Sequence, residues 1–168
     1  SEKAKDIRAL FRRRRAEQTI EVAQVVAFID EVANDFPEAS IEYAIETDDK
    51  QRIRNGSLLQ VAIEEAIENA VVHNDQEQPV IEVLITDCPS TDEIKIQIED
   101  NGPGISPSEW DVIFDGEETS LIHGSGIGVW LMYWTLTALG GTLELTNSGP
   151  NGSIITLSVP TKTSKEIV

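Results

Sequence analysis

Glu65 and Asn69 are the first residues whose types and spacing could do chemistry. They lie four positions apart in a segment, residues 58–73, that we expect to be helical, so they share one face. Burying a carboxylate beside an amide is costly unless something pairs with them. Mg²⁺ with its waters would be such a partner, because it prefers oxygen ligands. The alternative is a solvated helix face on which Glu64, Glu65 and Glu68 are all exposed.

Asp100 is the second candidate. Ile94, Ile96 and Ile98 alternate with polar residues, and the same alternation places Asp100 on the apolar side, where a carboxylate needs hydrogen-bond donors. The glycines that follow it, at positions 102 and 104, let the backbone approach a ligand closely. An aspartate at a strand end, beside backbone that carries no side chains, suits the exocyclic amino group of a purine. The alternative is an ordinary Asp-Asn-Gly turn.

A glycine-rich segment opens an apolar helix that we expect to end at Leu139; it consists of Gly124, Ser125, Gly126, Ile127 and Gly128. Free N–H groups at a helix start, with the helix dipole behind them, bind anions. The segment does not follow a strand and lacks the Lys-Ser/Thr of a P-loop. A flexible hinge is the alternative. Together, the three places supply the metal, base and phosphate parts of a nucleotide site.

The apolar periodicities predict alternating helices and strands. They are a mostly helical segment over 4–34, a strand over 41–45, a polar turn over 48–56, a helix over 58–73, strands over 80–86 and 93–99, a short helix over 106–114, a loop over 115–123, a helix over 126–139, and a final hairpin of 142–146 with 153–159. Ser57, with Gln60 as its capping-box partner, is expected to cap the second helix. This order predicts a two-layer α/β sandwich with a mixed, mostly antiparallel sheet and helices on one face.

The 168 residues suit one domain, and no apolar run is long enough for a membrane span. Cys88 is the single cysteine, which excludes an internal disulfide and a Cys/His zinc site. The net charge of −17 disfavours contact with nucleic acid or anionic membranes. It predicts a protein kept in solution in concentrated salt, and an ordinary acidic surface is the alternative. The lack of a signal peptide, a membrane span and an internal disulfide predicts a cytoplasmic location. The first 17 residues are the exception, with seven basic and three acidic side chains.

The three motifs resemble the N box and the two glycine boxes of GHKL ATPases, which include gyrase, heat-shock chaperone ATPases, mismatch-repair ATPases and histidine kinases. Phe114 stands where the kinases have a phenylalanine box, and residues 115–123 stand where the ATP lid lies. Residues 152–160, which include Thr156, resemble the final kinase strand. The resemblance covers about residues 41–160. The short lid, the tryptophans at 130 and 134 and the acidity are similar to haloarchaeal sensor kinases.

The resemblance implies that the chain binds ATP and Mg²⁺. Asp100 would bind the adenine amino group in a pocket lined by Gly102 and Gly104. Asn69 would hold the metal. Glu65 would orient or deprotonate the nucleophile or a water.

Further nucleotide contacts are implied for residues elsewhere in the motifs. They are His73 near the ribose and phosphates, the segment 124–128 around the triphosphate, Phe114 and Thr156. One departure concerns the phosphates: Val72 stands where many of these kinases carry a lysine or arginine.

The resemblance also implies an organisation and partners. Residues 1–36 would be the tail of a dimerisation and phosphoacceptor hairpin plus a linker, and residues 37–168 the ATP-binding catalytic domain. The γ-phosphoryl group would pass to a histidine on that hairpin, and then to a response regulator, in a homodimeric parent. His73 and His123 both lie inside the nucleotide motifs, so this chain is not expected to phosphorylate itself. The alternatives are a GHKL serine kinase of the anti-sigma type and a nucleotide-gated interaction module.

Overall fold

The fold is that of a computed structural model, which describes Lys3, residues 19–105, Trp110 and residues 125–161. The elements in chain order are β1 (Thr19–Glu21), α1 (Val22–Ala33), β2 (Ser40–Glu46), β3 (Arg52–Arg54), α2 (Gly56–Val72), β4 (Val80–Cys88), β5 (Glu93–Asp100), α3 (Ser125–Leu139), β6 (Thr142–Gly149) and β7 (Gly152–Pro160). None of the helices described in these ranges is both long and apolar enough to cross a membrane.

Five of the strands form one sheet in the order β2-β4-β5-β7-β6. β2 runs parallel to β4, and the other three pairings are antiparallel. The helices α2 and α3 pack on each other and on the central strands, and α1 packs on α2. The predicted α/β fold with a mixed, mostly antiparallel sheet is therefore confirmed.

The core results from the two-residue alternation of the central strands, which sends every second side chain toward the helices. These side chains are almost wholly buried: Ile81, Val83 and Ile85 of β4, Ile94, Ile96 and Ile98 of β5, and Ile155, Leu157 and Val159 of β7. On α2, the buried alanines Ala62, Ala66 and Ala70 recur every four residues. Because they are small, α3 can approach α2 closely.

A short two-stranded sheet is the main element that the sequence did not predict. Ile20 was expected in a helix and Ile53 in a turn, yet β1 and β3 pair with Ile20 opposite Ile53. Strands of three residues are too short to show a periodicity, so their pairing depends on contacts between distant parts of the chain.

The start of α2 also differs from the prediction. The helix begins at Gly56 after Asn55, whose φ is +55°, and no side chain caps it. The predicted capping by Ser57 and Gln60 is therefore wrong. The amide of Gln60 instead donates to Glu64 Oε2 at 3.1 Å. Glycine is required at position 56, since a Cβ there would lie 2.5 Å from Ile20.

α1 belongs to the same core as the rest of the domain through Val22, Val25, Ile29 and Val32. Among the described residues, the packing thus shows no boundary at residue 36. That the segment before Thr19 is the tail of a hairpin stays a prediction. The short helix over 106–114 and the loop over 115–123 lie outside the described residues, apart from Trp110, which is helical.

Two glycines of the β6–β7 hairpin allow a test of its geometry. Gly152 has a φ of +133°, and a Cβ there would lie 1.9 Å from the carbonyl oxygen of Asp100, whereas a Cβ on Gly149 would meet nothing within 4 Å. We expect Gly152→Ala to lower the free energy of unfolding by about 2–4 kcal/mol, from backbone strain and overpacking. Gly149→Ala is the matched control and should change it little. Equal denaturant midpoints for the two variants would contradict this hairpin geometry.

Candidate functional site

The carboxylate of Asp100 is held by one hydrogen bond on each oxygen. Oδ1 accepts from the backbone N–H of Gly102 at 2.8 Å, and Oδ2 accepts from the hydroxyl of Ser153 at 2.8 Å. Ser153 is in reach because it lies directly opposite Asp100 in the β5–β7 register. The orientation of the carboxylate is therefore fixed, while its remaining lone pairs can still accept.

The loop after Asp100 is tied to the end of α2 by side-chain amides. Asn101 Oδ1 accepts from the amide of Asn74 at 2.8 Å and from the backbone N–H of Val80 at 2.9 Å. Its own amide donates to the carbonyl of Gln78 at 3.3 Å. These bonds fix the loop beside Asp100.

The two glycines of this loop are needed for different reasons. A Cβ on Gly102 would lie 3.1 Å from Asp100 Oδ1 and so crowd the carboxylate. Gly104 has a φ of +84°, in the left-handed region that favours glycine. At Gly102 and Gly104 the loop therefore has no side chains beside the carboxylate, as the sequence predicted.

Asp100 lies in a recess between α2, β7 and the glycine loop. Its volume is about 30 Å³, and it is lined by Asn69, Ala70, His73, Asp100, Pro103, Gly104, Ile105 and Ser153. Three residues predicted from separate motifs, Asn69, His73 and Asp100, thus meet in one place.

A second, larger cavity of about 410 Å³ lies on the other side of Asn69 and His73. It is lined by Lys3, Glu65, Glu68, Asn69, Val72, His73 and Gly128. Because Asn69 and His73 line both spaces, the recess and the cavity are adjacent. The recess has room only for a small polar group beside Asp100, and the larger cavity can take a bulkier one.

Glu65 and Asn69 face the first turns of α3. A Cβ on Gly128 would lie 3.3 Å from Glu65 Oε1 and 4.0 Å from Asn69 Oδ1. Glu65 is only 9% exposed, so the alternative of a fully solvated helix face is excluded for this residue. The predicted residues Ser125, Gly126 and Ile127 form the first turn of α3, whose backbone N–H groups lie at the cavity end of the helix.

Lys3 forms an ion pair with the buried carboxylate. Its Nζ lies 2.6 Å from Glu65 Oε1 and 3.3 Å from Glu68 Oε1. Burial raises the pKa of Glu65, although the hydrogen bond and charge of Lys3 oppose the shift. Burial would lower the pKa of Lys3, but the two carboxylates outweigh it and raise this pKa. For the pKa of Glu65 the effect of burial outweighs that of Lys3, because the carboxylate of Glu65 is far less exposed than the ammonium of Lys3.

Thr156 is not part of this site. Its neighbours Ile155 and Leu157 point into the core, so Thr156 lies on the opposite face of the sheet. Its hydroxyl is 3.3 Å from that of Thr146. The predicted nucleotide contact of Thr156 is therefore not supported by its position. Phe114 and Gly124 lie outside the described residues.

Ser153 and Lys3 are site residues that the sequence did not identify. Ser153 is 4% exposed, and its hydroxyl is bound to Asp100. Its position just after Gly152 at the start of the last strand was visible, but the strand register was not. Only that register shows that Ser153 rather than Thr156 faces Asp100.

No group of three or more His, Cys, Asp and Glu side chains that could hold a metal occurs among the residues described above. The side-chain oxygens of Asn69 and Glu65 nevertheless both lie against Gly128 and line the same cavity. This donor set fits Mg²⁺, which commonly takes one or two protein oxygens and completes its shell with phosphates and water.

Comparison with known proteins shows that residues 55–163 match the family described as histidine kinase-, DNA gyrase B- and HSP90-like ATPase. The sensor histidine kinase CitA of Klebsiella pneumoniae is 36% identical over 93 residues, which cover 55% of this chain and 17% of CitA. The sensor-type histidine kinase PrrB of Mycobacterium tuberculosis is 32% identical over 105 residues, or 61% of this chain and 23% of PrrB. The chain thus spans about a fifth of the length of these relatives.

Solved structures show the same fold. The ATP-binding domain of PrrB from Mycobacterium tuberculosis superposes with a TM-score of 0.67 at 21% identity, over 88% of this chain and 98% of that one. Full-length ShkA in complex with AMPPNP gives a TM-score of 0.71 at 16% identity, over 91% of this chain and 33% of ShkA. The relatives above are bacterial, so they give no support to the haloarchaeal similarity expected from the acidity.

The raised pKa of Glu65 predicts a specific pH dependence of stability. Between the ordinary pKa of 4.5 and the raised one, the folded protein holds a proton that the unfolded chain has lost, so stability falls as pH rises. Glu65→Gln removes the titrating carboxyl group and with it this contribution to the stability. We expect the unfolding free energy of the variant to rise relative to wild type as the pH increases from 4.5 through the raised pKa of Glu65. Urea unfolding of both proteins at each pH measures the difference. A constant difference, or one that falls with pH, would contradict the burial of this carboxylate.

Proposed function

The chain belongs to the family of histidine kinase-, DNA gyrase B- and HSP90-like ATPases, and from this premise we propose that it is the ATP-binding catalytic domain of a two-component sensor histidine kinase. It transfers the γ-phosphoryl group of ATP to a histidine on a hairpin domain. The observation that carries the proposal is the Asp100 carboxylate, half-buried at a strand end and oriented by Gly102 and Ser153 beside a recess.

Adenine recognition follows from the hydrogen-bonding character of that carboxylate. Asp100 is an acceptor, and the exocyclic amino group of adenine is a donor, so the two are complementary. Gly102 brings bare backbone beside the carboxylate, and the hydroxyl of Ser153 keeps the carboxylate aimed at the ring. The base therefore lies at the mouth of the recess, whose volume of about 30 Å³ takes the amino group, with its ribose toward His73.

The phosphates then lie in the larger cavity, between α2 and the start of α3. The N–H groups in the first turn of α3 and the dipole of that helix favour negative charge there. Asn69 and the phosphates would hold Mg²⁺, which supplies charge neutralisation. Glu65 lies beside Asn69, where its carboxylate orients the attacking group or accepts its proton. Phosphoryl transfer needs little more than such positioning and charge compensation.

The proposed partners follow from the same role. The segment before β1 continues from a dimerisation and phosphoacceptor hairpin of a homodimeric parent, and a response regulator takes the phosphoryl group from that hairpin. The domain acts in the cytoplasm, where ATP is available. Adaptation to concentrated salt is part of the proposal and is supported by the net charge of −17 alone.

Calorimetric titration with Mg–ATP tests the nucleotide site. We expect saturable binding by the wild type. The affinity for Mg–ATP should fall by about tenfold to a hundredfold in Asp100→Ala, which removes a hydrogen bond to a charged acceptor. Glu99→Ala is the matched control: it removes an exposed carboxylate one position away and should bind as the wild type does. A folded wild type that binds no nucleotide would reject the proposal.

Phosphotransfer distinguishes the histidine kinase from the serine kinase alternative. With labelled Mg–ATP and a separately produced histidine-bearing hairpin, the label should appear on the hairpin as an acid-labile, base-stable phosphohistidine. Label that is acid-stable and located on serine of a protein substrate would support the serine kinase instead.

A further inference from the structure

Basic side chains are scarce around the proposed phosphate site. Between residues 55 and 161 the sequence contains one lysine, Lys95, and no arginine. Lys95 lies on the sheet face away from the helices, where its ammonium is 3.3 Å from the hydroxyl of Ser158. Val72 lines the phosphate cavity with 60% of its surface exposed and carries no charge. The family motifs of this chain thus bring no lysine or arginine to a triphosphate.

Lys3 is a cation that does reach this cavity, and it comes from outside the region that matches the family. Its ammonium is held by Glu65 and Glu68, two carboxylates one helical turn apart on α2. Glu65 Oε1 in turn lies 3.3 Å from where a Cβ on Gly128 would be. The ammonium therefore lies beside the first turns of α3, at the end of the cavity where the proposal above places the phosphates.

The hydrogen bonds of Lys3 leave it able to bind one more anion. An ammonium has three donors, and two carboxylate oxygens accept from it here. Its side chain is 40% exposed, so a third acceptor can approach from the cavity. Without Lys3, the two glutamates would present two uncompensated negative charges to the phosphates, which would repel them.

We propose that Lys3 is a nucleotide-specificity residue, whose ammonium contacts the terminal phosphate of ATP while Glu65 and Glu68 hold it in place. This inference rests on the proposed function, because it takes its ligand from there. It makes the segment before β1 a contributor to the nucleotide site. The presence of a γ-phosphate is then sensed by a part of the chain that precedes the catalytic domain.

Calorimetry with Mg–ATP and Mg–ADP tests the inference on wild type, Lys3→Ala, Lys3→Arg and Lys50→Ala. The last is the matched control, because Lys50 is an exposed lysine in the turn before β3. Lys3→Ala should weaken ATP binding by about tenfold and ADP binding far less, since a charge-assisted hydrogen bond is lost only with ATP. Lys3→Arg should retain most of the preference for ATP, and Lys50→Ala all of it.

The double variant Lys3→Ala/Glu65→Gln separates direct contact from charge compensation. If Lys3 contacts the phosphate, removing the charge of Glu65 does not restore the preference for ATP over ADP. Full restoration would overturn the inference, as would an unchanged or stronger affinity of Lys3→Ala for ATP. A wild type that binds neither nucleotide would reject the proposed function and this inference with it, whereas a wild-type-like Lys3→Ala rejects the role of Lys3 alone.

Discussion

The hydrogen bonds on the Asp100 carboxylate join three separate parts of the fold. The end of β5 supplies the aspartate, the glycine loop supplies one donor, and β7 supplies the other. A hydrogen bond to a charged group is worth about 1.5–3 kcal/mol, and the half-buried carboxylate of Asp100 accepts two of them. The site therefore depends on the β5–β7 register, because a shift of one residue would turn Ser153 away from Asp100.

The same constraint explains the glycines around the carboxylate. At Gly152 the β7 backbone passes so close to the carbonyl of Asp100 that no Cβ fits, and at Gly102 a Cβ would crowd the carboxylate itself. Close approach of the backbone is thus needed on both sides of Asp100.

In the cavity proposed for the phosphates, the limiting factor is charge. A chain of net charge −17 that binds a polyanion needs cations, helix dipoles or a metal at the point of contact.

The parts of this architecture with a long, regular pattern were predictable from the sequence. The alternation of Ile94, Ile96 and Ile98 gave both the strand and the inward side of Asp100, and the apolar run before Gly140 gave α3. The spacing of Glu65 and Asn69 gave their common face, which the structure places against Gly128.

What the sequence did not reveal depends on contacts between distant positions. The β1–β3 pairing joins residues 31 to 35 positions apart along three-residue strands. The choice of Ser153 over Thr156 depends on strand register, and Lys3 is 62 positions from Glu65. Resemblance to a family identified the motifs but misplaced the contact in the last strand. It also gave no indication of a cation from outside the matched region.

The central claim is that Asp100 recognises the amino group of adenine. Competition between Mg–ATP and Mg–GTP tests it most directly, since the two differ at the purine 6 position, where guanine carries a carbonyl oxygen in place of the amino group. A fixed carboxylate accepts from the amino group and repels the carbonyl, so ATP should bind about a hundredfold or more tightly than GTP. Equal affinities would show that the carboxylate does not face the base, and would contradict the account.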